Sequence, residues 1–514
     1  MSGFIGYQSD PEFLFPQRIG DLIPEDDLSW VVLEVTDKLD ISKIINRYSF
    51  LGTNAFHPRM LLKLIFYGIG TGNRSSRKIA RLAAKDLGGI MLCGGQRPSW
   101  RTIARFIADN QDQVHDLFLQ ILQLCISLGM VNFGHFSLDG TKIKANASKH
   151  SAMSAGRMKK EVADLTEEIT KALKELQAND ITETQQFGEK SSDELPEEIS
   201  RKQARLDKLN HALAELEQRA QAKGKELDPK DQYNFTDPES RIMTTRKDGP
   251  QQCYNHQIVV DSQERVITAY TTSQAPNDIE QLSPTLAESK TNMGRNPEKL
   301  TADTGYFSGE NLEYLEQETI DAYVCPEKQA GEYDKSKFIY EPEKDVYICP
   351  DGRELAFYRK ETKSDAASRR IYSGNCAGCS HQSQCTRSKT GNRTISRDRF
   401  EPLREQMRIK LQNESGREIY SHRKELPEPV FGQIKQQQAF HQHLNRGLKK
   451  VSNEFGLACL VYNIKRIWHK YVNYQGTIKL LTRVSSQWRI YLLFGNKCNY
   501  SAVPLTLLPL LKSI

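Results

Sequence analysis

Two runs of the chain, residues 157–178 and 197–222, contain no Pro and no Gly and are rich in Glu, Lys, Ala, Leu and Gln. Leu165, Ile169, Leu173 and Leu176 share one face at helical spacing, and Leu206, Leu209, Leu213 and Leu216 do the same in the second run. The stretch between them, NDITETQQFGEKSSDELP, is polar and carries Gly188 and Pro196. The pattern predicts an antiparallel helical hairpin over 155–225. Any sheet formed by the flanking sequence must therefore be interrupted here and resumed afterwards. The first run balances five basic against five acidic residues, which fits a partner-binding or spacer hairpin rather than an electrostatic grip on DNA.

The flanks read as α/β. Residues 135–138 alternate into Asp139-Gly140-Thr141, and 256–260 with 265–271 form β-rich runs around the turn at Asp261. A helix is expected over 282–290. A strand over 299–302 leads into Asp303-Thr304-Gly305, followed by a helix over 308–318. Asp139 and Asp303 are thus both expected where a strand gives way to a glycine-containing loop, which is where an open α/β sheet presents catalytic groups. A third acid lies downstream in KELPEPVFGQIK. Pro429 suits the first helical position and leaves Glu428 near the helix N-terminus, where the dipole favours a carboxylate. Lys435, seven residues on, shares its face, and Tyr420 and Arg423 share a face if their segment is helical. An acid among two cations and a tyrosine suits a site where metal and phosphate meet; a surface ion-pair network is the alternative. Glu454 is a rival third acid, Asp261 reads as a turn residue and Asp237 as a loop residue.

The formal net charge of +6, from 71 basic and 65 acidic residues, conceals an uneven distribution. Residues 57–106 hold ten basic side chains, among them Arg74, Arg77, Lys78, Arg81, Arg101 and Arg105, against Asp86 alone. Apolar residues recur there at helical spacing, and Ser99 is an expected N-cap. A small helical domain with basic outer faces, made for phosphate, is the reading; a plain solvated helix surface is the alternative. With 38% hydrophobic and 26% charged residues, wholesale disorder is excluded. No membrane span or signal peptide is read, and ten dispersed cysteines argue for a reducing cytoplasm rather than a secreted disulfide framework.

Four of those cysteines cluster. Cys349 opens CPDG, and Cys376, Cys379 and Cys385 follow. In a reducing compartment four thiolates suit tetrahedral Zn²⁺, with His381 as a substitute ligand; reduced cysteines in a loop-rich β insert are the alternative. Basic residues from Arg359 to Arg397, Lys363 included, surround them. Cys93, Cys125, Cys253, Cys325, Cys459 and Cys498 have no ligand spacing and are expected to be buried.

Taken in order, the basic helical block, SLDGTKIKANAS, LTADTGYFSGENL and EPVFGQIK followed by RGLKKVSNEFGL resemble the DDE-type transposases of bacterial insertion sequences, over roughly 57–471. The similarity is to the branch with a Tyr-Arg-Glu-Lys signature and a cysteine-rich insert. Here four residues rather than three separate Arg423 from Glu428, Pro427 among them. The resemblance implies an α/β fold with a ribonuclease H-like catalytic domain, an N-terminal all-helical domain, an inserted helical hairpin and a cysteine-rich β insert. It implies Asp139, Asp303 and Glu428 as ligands of Mg²⁺ or Mn²⁺, two ions about 3.5–4 Å apart. Water would nick DNA at the terminal inverted repeats, and the freed 3′-hydroxyl would attack target DNA. Tyr420, Arg423 and Lys435 would contact phosphate. The expected organisation is 1–128 helical and DNA-binding, 129–154 and 231–324 catalytic, 155–230 hairpin, 325–398 cysteine-rich insert, 399–475 catalytic C-terminal helices and 476–514 tail. A homodimer in the bacterial cytoplasm, at the nucleoid, is implied. The alternative is a transposase-derived DNA-binding protein without chemistry, acting as a repressor or targeting factor.

Overall fold

The computed structural model describes residues 18–48, 54–187, 197–222, 224–245, 248–326, 331, 333–362 and 368–473, with backbone alone at 176–187 and 471–473. The Leu176 side chain, the hairpin's polar loop at 188–196, Lys363, Cys498 and the tail 476–514 therefore lie outside the described residues.

A mixed sheet organises the middle of the chain. Its strands are β1 (His135–Lys144), β2 (Gly249–Asp261), β3 (Ile267–Ser273), β4 (Lys299–Ala302) and β5 (Asp321–Val324). The spatial order is β3-β2-β1-β4-β5, with β2 antiparallel to β1 and β3, and β1, β4 and β5 mutually parallel. A short strand, Arg241–Thr245, pairs with the start of β2. Alternation along β1 sends Phe136 and Leu138 to one face, with Val259, Leu300 and Ala302. That face is covered by α8 (Leu282–Met293) and α9 (Gly309–Gln317), whose Leu282, Leu286 and Leu312 join the same cluster.

The opposite face carries Ile143, Ile258 and Val260, and its covering reaches both ends of the chain. Helices α1 (Leu28–Lys38), α2 (Pro58–Gly70), α3 (Ser76–Lys85), α4 (Trp100–Asp109) and α5 (Val114–Ser127) precede the sheet, and α13 (Leu448–Asn473) ends the described chain. Val32, Leu64, Ile79, Ile103, Phe118, Phe455 and Ile464 share one continuous core with that sheet face. The N-terminal helices are therefore packed into the rest of the molecule by apolar burial.

The hairpin leaves after β1 and returns before β2 as α6 (Ala155–Phe187) and α7 (Glu197–Gln221). Its seam buries Leu209, Ala212, Leu213 and Leu216 against Met158 and Tyr233, with Ile169, Ile199 and Leu206 farther out. Arg205–Glu161 and Lys202–Glu168 pair across it. Between β5 and α10 (Glu401–Gln412) stands a separate five-stranded antiparallel sheet, running from Ile339–Glu341 to Thr394–Asp398, with its own core of Phe338, Tyr347, Leu355, Tyr372 and Ile395. Then come α11 (Glu414–Ser421), a 3-10 turn at His422–Glu425 and α12 (Pro427–Gln436). Pro427, rather than Pro429, takes the first helical position. Among the described residues no helix is long and apolar enough to cross a membrane.

Candidate active site

The parallel ladder between β1 and β4 ends at the pair Leu138↔Ala302, so Asp139 and Asp303 stand at the next matched register. Neighbouring parallel strands lie about 4.8 Å apart, and matched residues share a face. The two aspartates therefore emerge side by side on the face opposite Leu138 and Ala302. Their setting differs from the expectation in one respect. Asp303 does follow the end of a strand and caps the turn Thr304–Tyr306, whereas Asp139 lies within β1, which continues against β2 to Lys144.

Gly140 is thus no turn residue. It faces Gln257 of β2, and a Cβ there would stand 2.5 and 2.6 Å from the Gln257 amide oxygen and nitrogen. Glycine is needed because another side chain lies across its backbone.

Both carboxylates are held alike. Asp139 Oδ1 accepts the Gly140 N–H at 2.8 Å and Asp303 Oδ1 accepts the Thr304 N–H at 2.5 Å. The remaining oxygens face Arg423, whose guanidinium is 3.3 Å from Asp139 Oδ2 and 3.8 Å from Asp303 Oδ2. Arg423 is buried, with only 9% of its side chain exposed, and its Nε has no hydrogen-bond partner among the described residues. Burial pushes the Asp139 carboxyl up to about 6; Arg423 and the Gly140 N–H oppose this, while Asp303 and Asp278 add to it. The residue additional to the usual signature is absorbed by the 3-10 turn before α12, and Arg423 still reaches both aspartates. Tyr420 lies 5.9 Å from the Arg423 guanidinium, and burial raises its phenol, keeping it a hydrogen-bond donor.

Lys435 Nζ donates to Thr141 Oγ1, two residues beyond Asp139 on the same face of β1. This contact lays α12 across that face. Glu428, two helical turns back, is exposed in the first turn of α12 and makes no ion pair among the described residues. Among the described residues, no three His, Cys, Asp or Glu side chains converge as a metal-ligating group.

The rival acids separate by their partners. Glu454 is largely buried, with 10% of its side chain exposed, is ion-paired to Arg74, and accepts the backbone N–H groups of Leu444 and Asn445, so it is committed elsewhere. Asp261 caps its hairpin through the N–H groups of Asn132, Gln263 and Glu264. Asp237 lies in a loop, as expected, but is fully buried there, accepting the Tyr254 hydroxyl at 2.9 Å. One acid near the site carries no motif. Asp278 accepts Asn255 Nδ2 at 2.7 Å and Gln257 Nε2 at 2.8 Å.

The basic helices also need one correction. Arg77, Lys78, Arg81, Arg101 and Arg105 are exposed on α3 and α4, with the Arg77 and Arg101 guanidinium groups 4.8 and 5.3 Å from the Trp100 ring. Arg74 faces inward with 9% of its side chain exposed, binding Glu454 and the carbonyls of Ala439 and Gln442. It serves the interior rather than a phosphate.

Cys349, Cys376, Cys379 and Cys385 line one cavity of about 20 Å³, with His381 at its wall. The N–H groups of Arg353 and Arg393 donate to the sulfurs of Cys349 and Cys376 at 3.2 and 3.4 Å. Burial pushes the Cys385 thiol up and the other three sulfurs add to it. All nine described cysteines are free; Cys93, Cys125, Cys253 and Cys459 are buried, whereas Cys325 is half-exposed beside the Tyr420 phenol.

Comparison with known families gives two matches. Residues 348–468 match a family model described as a transposase DDE domain, and residues 17–109 match one described as a transposase domain. No curated protein matches the chain.

Proposed function

Because the chain belongs to the DDE-type transposases of insertion sequences, we propose that it cuts DNA at the terminal repeats of its element and joins the freed 3′-hydroxyl to target DNA by phosphoryl transfer. The observation that carries this reading is the side-by-side emergence of Asp139 and Asp303, bridged by one buried arginine on the face that α12 crosses. The strand order β3-β2-β1-β4-β5, with β2 reversed, supports a ribonuclease H-like catalytic domain.

Asp139, Asp303 and Glu428 are the residues that would hold Mg²⁺ or Mn²⁺. They are hard oxygen donors, and the guanidinium drawn between the two aspartates marks that gap as a place for positive charge. When bound, such ions activate the attacking oxygen and stabilise the leaving one. The chain's own groups handle the strand. Arg423 brings its guanidinium beside the two aspartates, Tyr420 offers its hydroxyl, and Lys435 brings positive charge to the far end of α12, all for contacts to phosphate. Arg77, Lys78, Arg81, Arg101 and Arg105 position the duplex through its backbone. Two element ends must meet in one reaction, which calls for a homodimer.

The four cysteines around the small cavity would hold a structural Zn²⁺, which would have to draw together sulfurs that do not converge as a ligand group among the described residues. The cavity is the size of one small sphere, and backbone N–H groups aimed at two of the sulfurs favour thiolates.

The test is cleavage of DNA bearing the terminal repeats in Mg²⁺ or Mn²⁺. Asp139→Asn, Asp303→Asn and Glu428→Gln each abolish nicking while end binding persists. Nicking by Asp303→Asn at the unsubstituted rate would remove the assignment, and end binding without any cleavage would favour a repressor.

A further inference from the structure

The backbone pairing that aligns Asp139 with Asp303 stops one residue short of both. Something else must fix their separation, since a carboxylate pair serves a metal only when held within about 0.5 Å. The structure supplies it from the opposite face of the sheet.

Gln257 of β2 is fully buried and lies flat over Gly140, the residue after Asp139. Its Oε1 accepts the hydroxyl of Tyr306, which is also fully buried and closes the turn that starts at Asp303. Its Nε2 donates to Asp278 Oδ1 at 2.8 Å, where Asn255 Nδ2 donates as well at 2.7 Å. The other oxygen, Asp278 Oδ2, lies 3.3 Å from the place of a Cβ on Gly305, inside the same turn. One amide thus touches the residue behind one aspartate and the turn behind the other. Asp278 fixes which end of that amide is donor and which is acceptor. Reversing the amide would set oxygen against carboxylate and NH₂ against hydroxyl hydrogen.

We propose that Gln257, Asp278 and Tyr306 are positioning residues that set the spacing of Asp139 and Asp303 from behind the sheet. The proposal rests on the transposase reading above and deepens it. These residues touch neither metal nor DNA; they act through the backbone at Gly140 and at 304–306. An interior network of no functional consequence would stabilise the fold and leave metal affinity alone.

The experiment compares Tyr306→Phe, Asp278→Ala and Asp278→Asn in the full-length protein. Mn²⁺ affinity is read by titration on end DNA, alongside DNA affinity without metal and the melting temperature. Removing a hydrogen-bond partner behind a metal ligand costs about 10- to 100-fold in metal affinity. Tyr306→Phe and Asp278→Ala each weaken Mn²⁺ binding by that factor, with DNA affinity unchanged and folding retained. Asp278→Asn keeps an oxygen for Gln257 and Asn255 and restores Mn²⁺ binding to within about threefold. The double variant Tyr306→Phe/Asp278→Ala is no weaker than the worse single one, because the groups act as a unit.

Mn²⁺ affinity unchanged in both Tyr306→Phe and Asp278→Ala would overturn the proposal. So would an Asp278→Asn as weak as the alanine, which would make the charge itself the ligand. If either variant fails to fold, the other carries the comparison. Asp303→Asn is the control for the underlying reading: if it binds Mn²⁺ like the unsubstituted protein, the transposase site fails, whereas its loss beside an intact Tyr306→Phe sinks the positioning role alone.

Discussion

Asp139 and Arg423 show how a single pair sets the conditions for chemistry. Burial has already pushed the aspartate up to about 6, and the guanidinium is the largest influence opposing it. On the proposed reading a metal ion must compete with that proton, so Mn²⁺ binding is expected to weaken as the pH falls through about 6. Replacing Arg423 by Gln removes the opposing charge and moves this fall to higher pH, which Mn²⁺ titrations on either side of pH 6 check. An unshifted curve in the variant would mean that the pair is not coupled. The acids of this site were legible as residues, but their surroundings were not. Asp139-Gly140 reads as a turn because Asp-Gly usually is one, and the reason for this glycine is a glutamine on another strand, 117 positions away. Asp278 has no motif at all, and only the pairing of β1 with β2 brings Gln257 within its reach.

Elements were read more surely than their partners. The hairpin, the strand before Asp303 and the helix cap at Ser99 follow from local periodicity and from side-chain oxygens near free N–H groups. Arg74 was misplaced because charge clustering is local, whereas its acid is on α13. There Glu454 closes a buried series: Thr272 to His256, His256 Nε2 to His443 Nε2 at 2.9 Å, and His443 to Glu454. Burial pushes the Glu454 carboxyl up, but hydrogen bonds from His443 and Leu444 and the Arg74 charge outweigh it and leave it at about 2. The folded carboxyl is therefore below its ordinary 4.5, so its stabilisation is present above that pH and is lost as the pH falls toward about 2. Arg74→Ala strands a buried carboxylate and costs about 3–5 kcal/mol by denaturant unfolding. Arg77→Ala leaves stability nearly unchanged and lowers the salt dependence of DNA binding by about one phosphate contact; similar losses of stability in both would erase the distinction. In the insert, metal analysis of the full-length protein is expected to find about one zinc per chain, and Cys376→Ser or Cys379→Ser to lose it. Stoichiometric zinc retained in both variants would move the ligands elsewhere.

At the scale of the molecule, the long interval between Asp139 and Asp303 is taken up by the hairpin, which departs and returns on the β1–β2 side and leaves the β1–β4 pairing undisturbed. Apolar burial crosses the domain boundary expected at residue 128. Composition reports what a segment is made of, and the far side of a core is invisible to it. Val32, Leu64 and Phe118 meet Ile258, Val260 and Phe455 in one unbroken interior. The exposed cations of α3 and α4 are consequently not tethered to the two aspartates by a linker; they are cast in one piece with them. On the proposed reading, a protein built this way would work as a ruler. The number of base pairs between the sequence it grips and the bond it breaks would be set by the dimensions of its own core, and that offset is expected to stay constant from one element end to the next.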